Sequence, residues 1–510
     1  MTFLVGLPVL LPLLAAAVSL IAGRSPLVQR LLGVTVLTAI AGAAAVLLVQ
    51  ADSNGPVVLR LGDYGPPFGI TLVADRLAAL LLLVSAIVTL AVLIFSIGQR
   101  ITDYGRKTAS TAFHPMYLVL CSGVSLAYLT SDLFNLFVAF EIMLGASYVL
   151  ITRRVTAQRV KPSVTYVIVS LTSSLLFITM IALVYTATGT VNLAALPEHI
   201  AQLPAGVQSS LALFIVIVFG IKAALVPLHF WLPDSYPTAP APITAVFAAL
   251  LTKVGIYALI RTQTLVFVHD DSWSVLLGLA LVTMIVGALG AIAQNDLNRM
   301  LSFLLVSHIG YMIFGLALFN VIGMAGVILY VVHHITVQGA LFLVSGLVTR
   351  HTGTVSLKTM SGVAKAYPLV AVLFAIPAMS LGGIPPFSGF VAKIALLQGG
   401  AEAGTPMAIA ATVGVIVASL LTLYAVTKIW VGAFWGPRVE PSPDPDPNDD
   451  VTVGTGSTSP AMLGATGGLV LASVLIAVFA GPLADMSDRA AHDLLHDEGY
   501  RAAVLGEGNG

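Results

Sequence analysis

The chain alternates apolar runs of about twenty residues with short polar interruptions, and a run of that length coiled as an α-helix crosses the hydrocarbon of a bilayer. Windows of that size give about fourteen spans. They fall at 2–22, 31–50, 74–97, 112–130, 132–152, 163–187, 208–229, 240–262, 274–293, 297–318, 321–348, 367–399, 405–435 and 461–483. The first run, TFLVGLPVLLPLLAAAVSLIAG, lacks the positively charged start of a signal peptide and is long enough to span, so it reads as a membrane helix. The stretch NLAALPEHIAQLPAG at 192–206 is too polar to cross and reads as interfacial.

Two spans break their own pattern. In GIKAALVPLHFWLPDSYPTAPAP, Lys222 closes the aliphatic run LALFIVIVFGI, and Pro227, His229, Trp231, Pro233 and Asp234 follow. In LGGIPPFSGF, two glycines and two prolines stand just before Lys393. Proline removes a backbone hydrogen bond, and broken helices at membrane depth are tolerated where they line a cavity. A repeat is also visible: SDLFNLFVAF at 131–140 and NDLNRMLSF at 295–303 both open a span with a polar residue and Asp-Leu, an odd number of spans apart. That spacing makes the halves inverted, with a lysine beside a break in each. Asp132 and Asp296 read as helix N-caps.

Composition fixes the class. Of 510 residues 58% are apolar and 9% charged, with mean hydropathy +1.00; a soluble chain carries about a quarter charged residues. The deficit runs the whole length, so this is an all-α polytopic membrane protein embedded in a lipid bilayer. Zero net charge and the lack of a long basic run exclude nucleic acid as a partner. Cys121, the sole cysteine, excludes intramolecular disulfides and a cysteine metal site.

Basic residues sort the loops. Arg24 and Arg30, then Arg100, Arg106 and Lys107, then Arg153, Arg154, Arg159 and Lys161 fall in odd-numbered loops. Arg299, then Arg350, Lys358 and Lys365, and finally Arg438 do the same, whereas even loops offer only Arg60 and Arg261. Odd loops are therefore expected in the cytoplasm and both termini outside. The segment 437–460, rich in Pro, Asp and Gly, is expected to be an extended cytoplasmic loop, and the polar tail after 484 partly ordered at best.

A charge at mid-membrane costs at least about 2.5–3.5 kcal/mol, so such residues face partners or water and mark function. Glu141 is the acid well inside a span; Lys222, Lys253 and Lys393 are the interior lysines, and His308, His333 and His334 the interior histidines. Each has a bland reading beside the functional one: Glu141 as a structural ion pair, His308 as a core histidine, Lys428 as a snorkelling lysine. Adjacent His333 and His334 point to two faces of a helix, so a single path takes one of them. The sequence carries no nucleophile motif, phosphate loop, haem or iron–sulfur ligand set, or metal cage. What remains is proton-exchangeable: low dielectric disfavours a lysine's charged form, a neighbouring carboxylate favours it, and histidine suits a shuttle. Glu141 beside Lys222 would make a switchable lysine, with Lys253, a histidine and Lys393 continuing a relay. His229, two turns after Lys222 on a continuous helix, would share its face.

SDLFNLFVAFEIMLGASYVLI, GIKAALVPLHFWLPDSYPTAPAPITAVFAALLTKVGIYALIR and QNDLNRMLSFLLVSHIGYMIFGL resemble the proton-translocating antiporter-like subunits. That superfamily is shared by the membrane arm of respiratory complex I, membrane-bound hydrogenases and the multisubunit Mrp cation/proton antiporters. The resemblance covers roughly 70–435, with wording nearest the D-type Mrp subunits. It implies fourteen helices, inverted five-helix repeats of helices 4–8 and 9–13, and discontinuous helices 7 and 12. The division that follows is 1–110 for helices 1–3, 111–262 and 263–436 for the repeats, 437–460 for the loop, and 461–510 for helix 14 and the tail.

By that resemblance Glu141 is the helix-5 glutamate, Lys222 its helix-7 partner, Lys253 the central helix-8 lysine and Lys393 the helix-12 terminus, with His333 or His334 bridging the half-channels. His229, His308 and Asp234 are further path candidates. Gln338 stands where many relatives have lysine, which leaves that link to the histidines or water. The resemblance implies a transporter subunit and no enzyme, with no cofactor. It would work in a hetero-oligomer of membrane subunits in a bacterial plasma membrane, exchanging H+ for Na+ or another monovalent cation. A membrane-arm subunit of NADH:quinone oxidoreductase or a hydrogenase is the alternative, and a scaffold with a degenerate axis a third.

Overall fold

A computed structural model describes residues 2–23, 25–65, 69–99, 112–152, 157–267, 273–437 and 458–506. Arg24, Arg100, Arg106, Lys107, Arg153, Arg154, Arg438 and most of the 437–460 loop lie outside the described residues, as does the Arg159 side chain.

Among the described residues twelve helices are long and apolar enough to cross a membrane, and two shorter apolar ones, Phe113–Leu129 and Pro368–Gly382, stand among them. Helices are the outcome because hydrocarbon offers backbone N–H and C=O groups no partner outside their own segment. The expected 367–399 span is two helices, Pro368–Gly382 and Ser388–Ala403, and the expected 208–229 span ends at Ala223. The strands described are a small antiparallel pair, Val57–Arg60 with Thr71–Ala74.

Burial sorts the helices where composition does not. The apolar windows of Ala241–Leu265 and Val321–Thr352 are wholly inside, and that of Leu297–Ala317 nearly so. Val321–Thr352 has 32 residues, about 48 Å of helix, and forms the axis of the molecule. The windows of Phe3–Ile21, Pro26–Asn54, Val160–Thr188, Trp273–Ala293, Pro406–Phe434 and Pro460–Val478 are each less than half buried, and their outer faces carry exposed Leu, Val and Ile.

The repeat is explicit in the backbone. Asp132 caps Leu133–Ile151 by accepting from Asn135 N at 2.7 Å, and Asp296 caps Leu297–Ala317 by accepting from Arg299 N at 2.8 Å. Asp132 bridges Asn192 and Asp296 bridges Ser356, each antiparallel. One offset relates the caps (132 to 296), the bridges (192 to 356) and the helices Ala157–Thr188 and Val321–Thr352 (157 to 321, 188 to 352). Each half also breaks a helix at a left-handed residue, Ala224 (φ 64°) and Gly383 (φ 83°), and each break holds a cis proline, Pro227 and Pro386. Aligning those two residues sets Leu381 opposite Lys222 and Asp234 opposite Lys393. The lysines therefore do not correspond: Lys222 precedes its break and Lys393 follows the other.

Two sequence expectations change where the C-terminal segment packs. The tail is ordered as Ala480–Leu495 and Glu498–Leu505. Arg489 pairs with Asp52 at 2.8 Å, Arg76 with Asp52 and Asp493, and Arg501 with Glu198. Arg261 is no loop residue: it is buried in Thr252–Leu265, paired with Asp75 at 2.6 Å and covered by the Tyr500 ring at 4.8 Å. Burial pushes the Tyr500 hydroxyl up from its ordinary value, so it stays neutral over the guanidinium.

Candidate proton-transfer axis

Glu141 lies midway along Leu133–Ile151, facing Ala157–Thr188. Its Oε1 accepts a hydrogen bond from Ser174 Oγ. Lys222 lies in the last turn of Ala205–Ala223, where unpaired carbonyls give a helix its negative end, a place that favours a cation. Its Nζ donates to Ser174 Oγ at 3.2 Å and Ser170 O at 3.5 Å, and sits 5.6 Å from the Phe140 ring centre. No Glu141–Lys222 ion pair closes among the described residues, and the two meet through Ser174. A cavity of about 20 Å³, room for one water, opens beside Lys222 against Tyr166, Ser173, Trp231 and Tyr236.

Beyond Ala224 the chain runs through turns to the short helix Trp231–Ser235, so the face shared by Lys222 and His229 does not exist. The His229 ring instead stands edge-on to Phe303, 6.4 Å between centres. Asp234 pairs with Arg299 at 2.9 Å on the exposed surface, a contact of small energetic weight. Lys428 does not snorkel; its Nζ donates to Ile292 O and Gln294 O at 2.8 and 2.7 Å, capping the end of Trp273–Ala293.

Lys253 is fully buried just past a π-helical turn, Phe247–Leu251, and its Nζ donates to Ala248 O at 2.6 Å. Such turns widen a helix locally and recur at functional sites. Gly255 makes the approach possible: a Cβ there would stand 2.8 Å from Ala223 N, so only glycine lets this helix touch the end of the Lys222 helix.

His308, His333 and His334 are buried in one aromatic cluster. His308 Nδ1 shares a 2.6 Å hydrogen bond with Tyr330 OH, and its ring lies 5.1 Å from that of His334. Both His333 and His334 adjoin Tyr330, at 5.6 and 6.3 Å between ring centres, because both faces of Val321–Thr352 are interior at that level. His333 Nδ1 continues to Ser388 Oγ at 2.9 Å, and Ser388 to Ser380 Oγ at 3.0 Å across the second break. Lys393 Nζ donates to Leu381 O and Gly382 O at 3.0 and 3.1 Å, and lies 5.1 Å from the Tyr311 ring centre. Gln338 Nε2 donates to Leu301 O at 2.9 Å. Among the described residues no group of three or more His, Cys, Asp or Glu could hold a metal.

Sequence reasoning overlooked Ser174, Ser380, Ser388, Tyr311 and Tyr330, since a hydroxyl in an apolar helix carries no charge to flag it. The repeat offset was the available signal: it sets Tyr166 and Ser174 opposite Tyr330 and Gln338.

A family model described as "NADH:quinone oxidoreductase/Mrp antiporter, TM" matches residues 130–422. The D-type subunit of the Na(+)/H(+) antiporter of Alkalihalophilus pseudofirmus is 42% identical over 443 residues, covering 86% of this chain and 88% of that relative. A chain of the solved Mrp complex from Dietzia sp. DQ12-45-1b superposes with TM-score 0.90 at 33% identity, over 99% of this chain and 100% of its own. A chain of respiratory complex I from Thermus thermophilus superposes with TM-score 0.77 over 96% and 99%, and at 24% identity it speaks for the fold alone.

Proposed function

The chain belongs to the NADH:quinone oxidoreductase/Mrp antiporter family, and from that premise we propose that it is the D-type proton-translocating subunit of a multisubunit Na+(cation)/H+ antiporter. It is a transporter component and works beside other membrane subunits. What favours an antiporter over a redox-driven pump is the 42% identity to a D-type antiporter subunit over 86% of this chain.

The observation that carries the mechanism is the series of half-buried Glu141 with buried Lys222, Lys253, the His308–His334–Tyr330–His333 cluster and Lys393, running between two broken helices inside an otherwise apolar bundle. Protons enter at Glu141 and Lys222, pass Lys253 and the histidines, and reach Lys393 beside the second break. Each lysine is held by carbonyls or a hydroxyl and by no described carboxylate contact, so it can give up a proton without stranding a paired anion. Movement of Glu141 relative to Lys222 sets the lysine's proton affinity, since a carboxylate favours the ammonium and apolar surroundings the amine.

Sodium takes another route. Hard cations want several oxygen ligands, and this axis offers one interior carboxylate. The cation therefore crosses at another subunit or at an interface. The division at 110, 262, 436 and 460, the bacterial plasma membrane and the outward-facing termini belong to the same proposal.

Everted vesicles carrying the whole complex test it. Lys222→Ala and Glu141→Ala are each expected to abolish the cation-dependent pH change with the complex still assembled. Near-wild-type antiport from either variant sinks the mechanism.

A further inference from the structure

We propose that Ser174 is a relay hydroxyl of the proton path, the group through which Glu141 and Lys222 exchange a proton; this rests on reading those two residues as the entry pair. The Ser174 side chain is buried, and its single O–H is aimed at Glu141 Oε1 while its lone pair accepts from Lys222 Nζ at 3.2 Å. A hydroxyl has one donor and can accept as well, so this oriented chain N–H···O–H···O uses both capacities at once. A spacer needs only bulk; a relay needs this orientation.

The step balances without any further reactant. As an N–H bond of the Lys222 ammonium breaks, that proton bonds to Ser174 Oγ, while the Ser174 O–H breaks and its proton bonds to Glu141. The products are a neutral amine, a neutral carboxyl group and an intact serine whose hydrogen bonds point the other way. The reverse step recharges both groups.

A second observation is independent of these contacts. The 32-residue helices Ala157–Thr188 and Val321–Thr352 correspond position by position, which sets the i, i+4, i+8 stripe Tyr166, Ser170, Ser174 opposite Tyr330, His334, Gln338. In the second half that stripe carries the Tyr330–His308 bond and the His334 contact. The first half places its polar stripe on the corresponding face, against Glu141 and Lys222.

The test uses Ser174→Ala, Ser174→Val and Ser174→Thr in the assembled complex, assayed by cation-dependent pH change across a range of pH. Thr and Val have the same shape and differ in the hydroxyl, so bulk and chemistry separate. Ala and Val are expected to slow antiport by about tenfold or more, with Thr within about threefold of wild type. Thr172→Ala, on the exposed face two residues away and bonded to its own helix at Ile168 O, is the control and is expected to match wild type. Ser174→Ala within about twofold of wild type overturns the proposal, as does equal impairment of Thr and Val in an intact complex. If Ser174→Ala is active while Glu141→Ala and Lys222→Ala are dead, only the relay fails; if those two are active, the entry-pair reading fails.

Discussion

Lys222 and Lys393 are both buried, and both reach the carboxyl-terminal end of a half-helix, where unpaired carbonyls and the macrodipole favour positive charge. Lys222 sits in that turn, whereas Lys393 reaches back to it from the helix beyond the break. Arg261 is held differently. Its guanidinium pairs with Asp75 at 2.6 Å, with side chains 4% and 8% exposed, between the rings of Tyr257 and Tyr500. A group locked that firmly serves the fold and not transport. Removing one partner of a buried pair strands the other charge, so Asp75→Ala is expected to cost about 3–5 kcal/mol of stability. A thermal melt of the purified complex reads this as a clear fall in Tm; an unchanged Tm would show the pair to be dispensable.

At the level of elements, each break is made by one residue in the left-handed region. Gly383 adopts it freely, whereas Ala224 pays a steric penalty there. Ala224→Gly should therefore stabilise the first break by about 1 kcal/mol and leave antiport intact. Gly383→Ala reverses the sign and adds a clash, since a Cβ there would lie 2.8 Å from Lys393 Cδ. Its expected phenotype is a folded complex with reduced antiport, seen by comparing subunit abundance with transport in the same vesicles. Wild-type transport from Gly383→Ala would mean that the Lys393 chain need not lie over the break.

For the whole molecule, two halves of the same build flank the Val321–Thr352 helix, and the tail closes one end by ion pairs to Asp52 and Glu198 and by Tyr500 over Arg261. The loop charges predict that end to lie outside the cell. Gly499 is exposed, with no heavy atom within 4 Å of where a Cβ would stand, and Cys121 is buried, so Gly499→Cys supplies one reactive thiol at a known place. A membrane-impermeant maleimide is expected to label it in intact cells. Labelling only after permeabilisation would reverse the assigned orientation.

Length and composition alone determined that the chain is helical and crosses the membrane many times, because only a helix satisfies its own backbone in hydrocarbon. Charges inside the spans were legible for the same reason: Glu141, Lys222, Lys253 and Lys393 stand out in otherwise apolar runs. Asp132 and Asp296 gave away both the caps and the repeat. The faces of the helices were not legible, since lipid and protein interior select the same Leu, Val and Ile, and no polar stripe marks the outside. That is why Ser174, Tyr330 and Ser388 went unseen until packing brought them to Glu141, His308 and His333. It is also why both His333 and His334 join the cluster, and why Arg261 and the tail lie packed instead of solvated. Which groups exist was written in the sequence; which of them touch was decided by helix packing, through contacts between residues far apart along the chain.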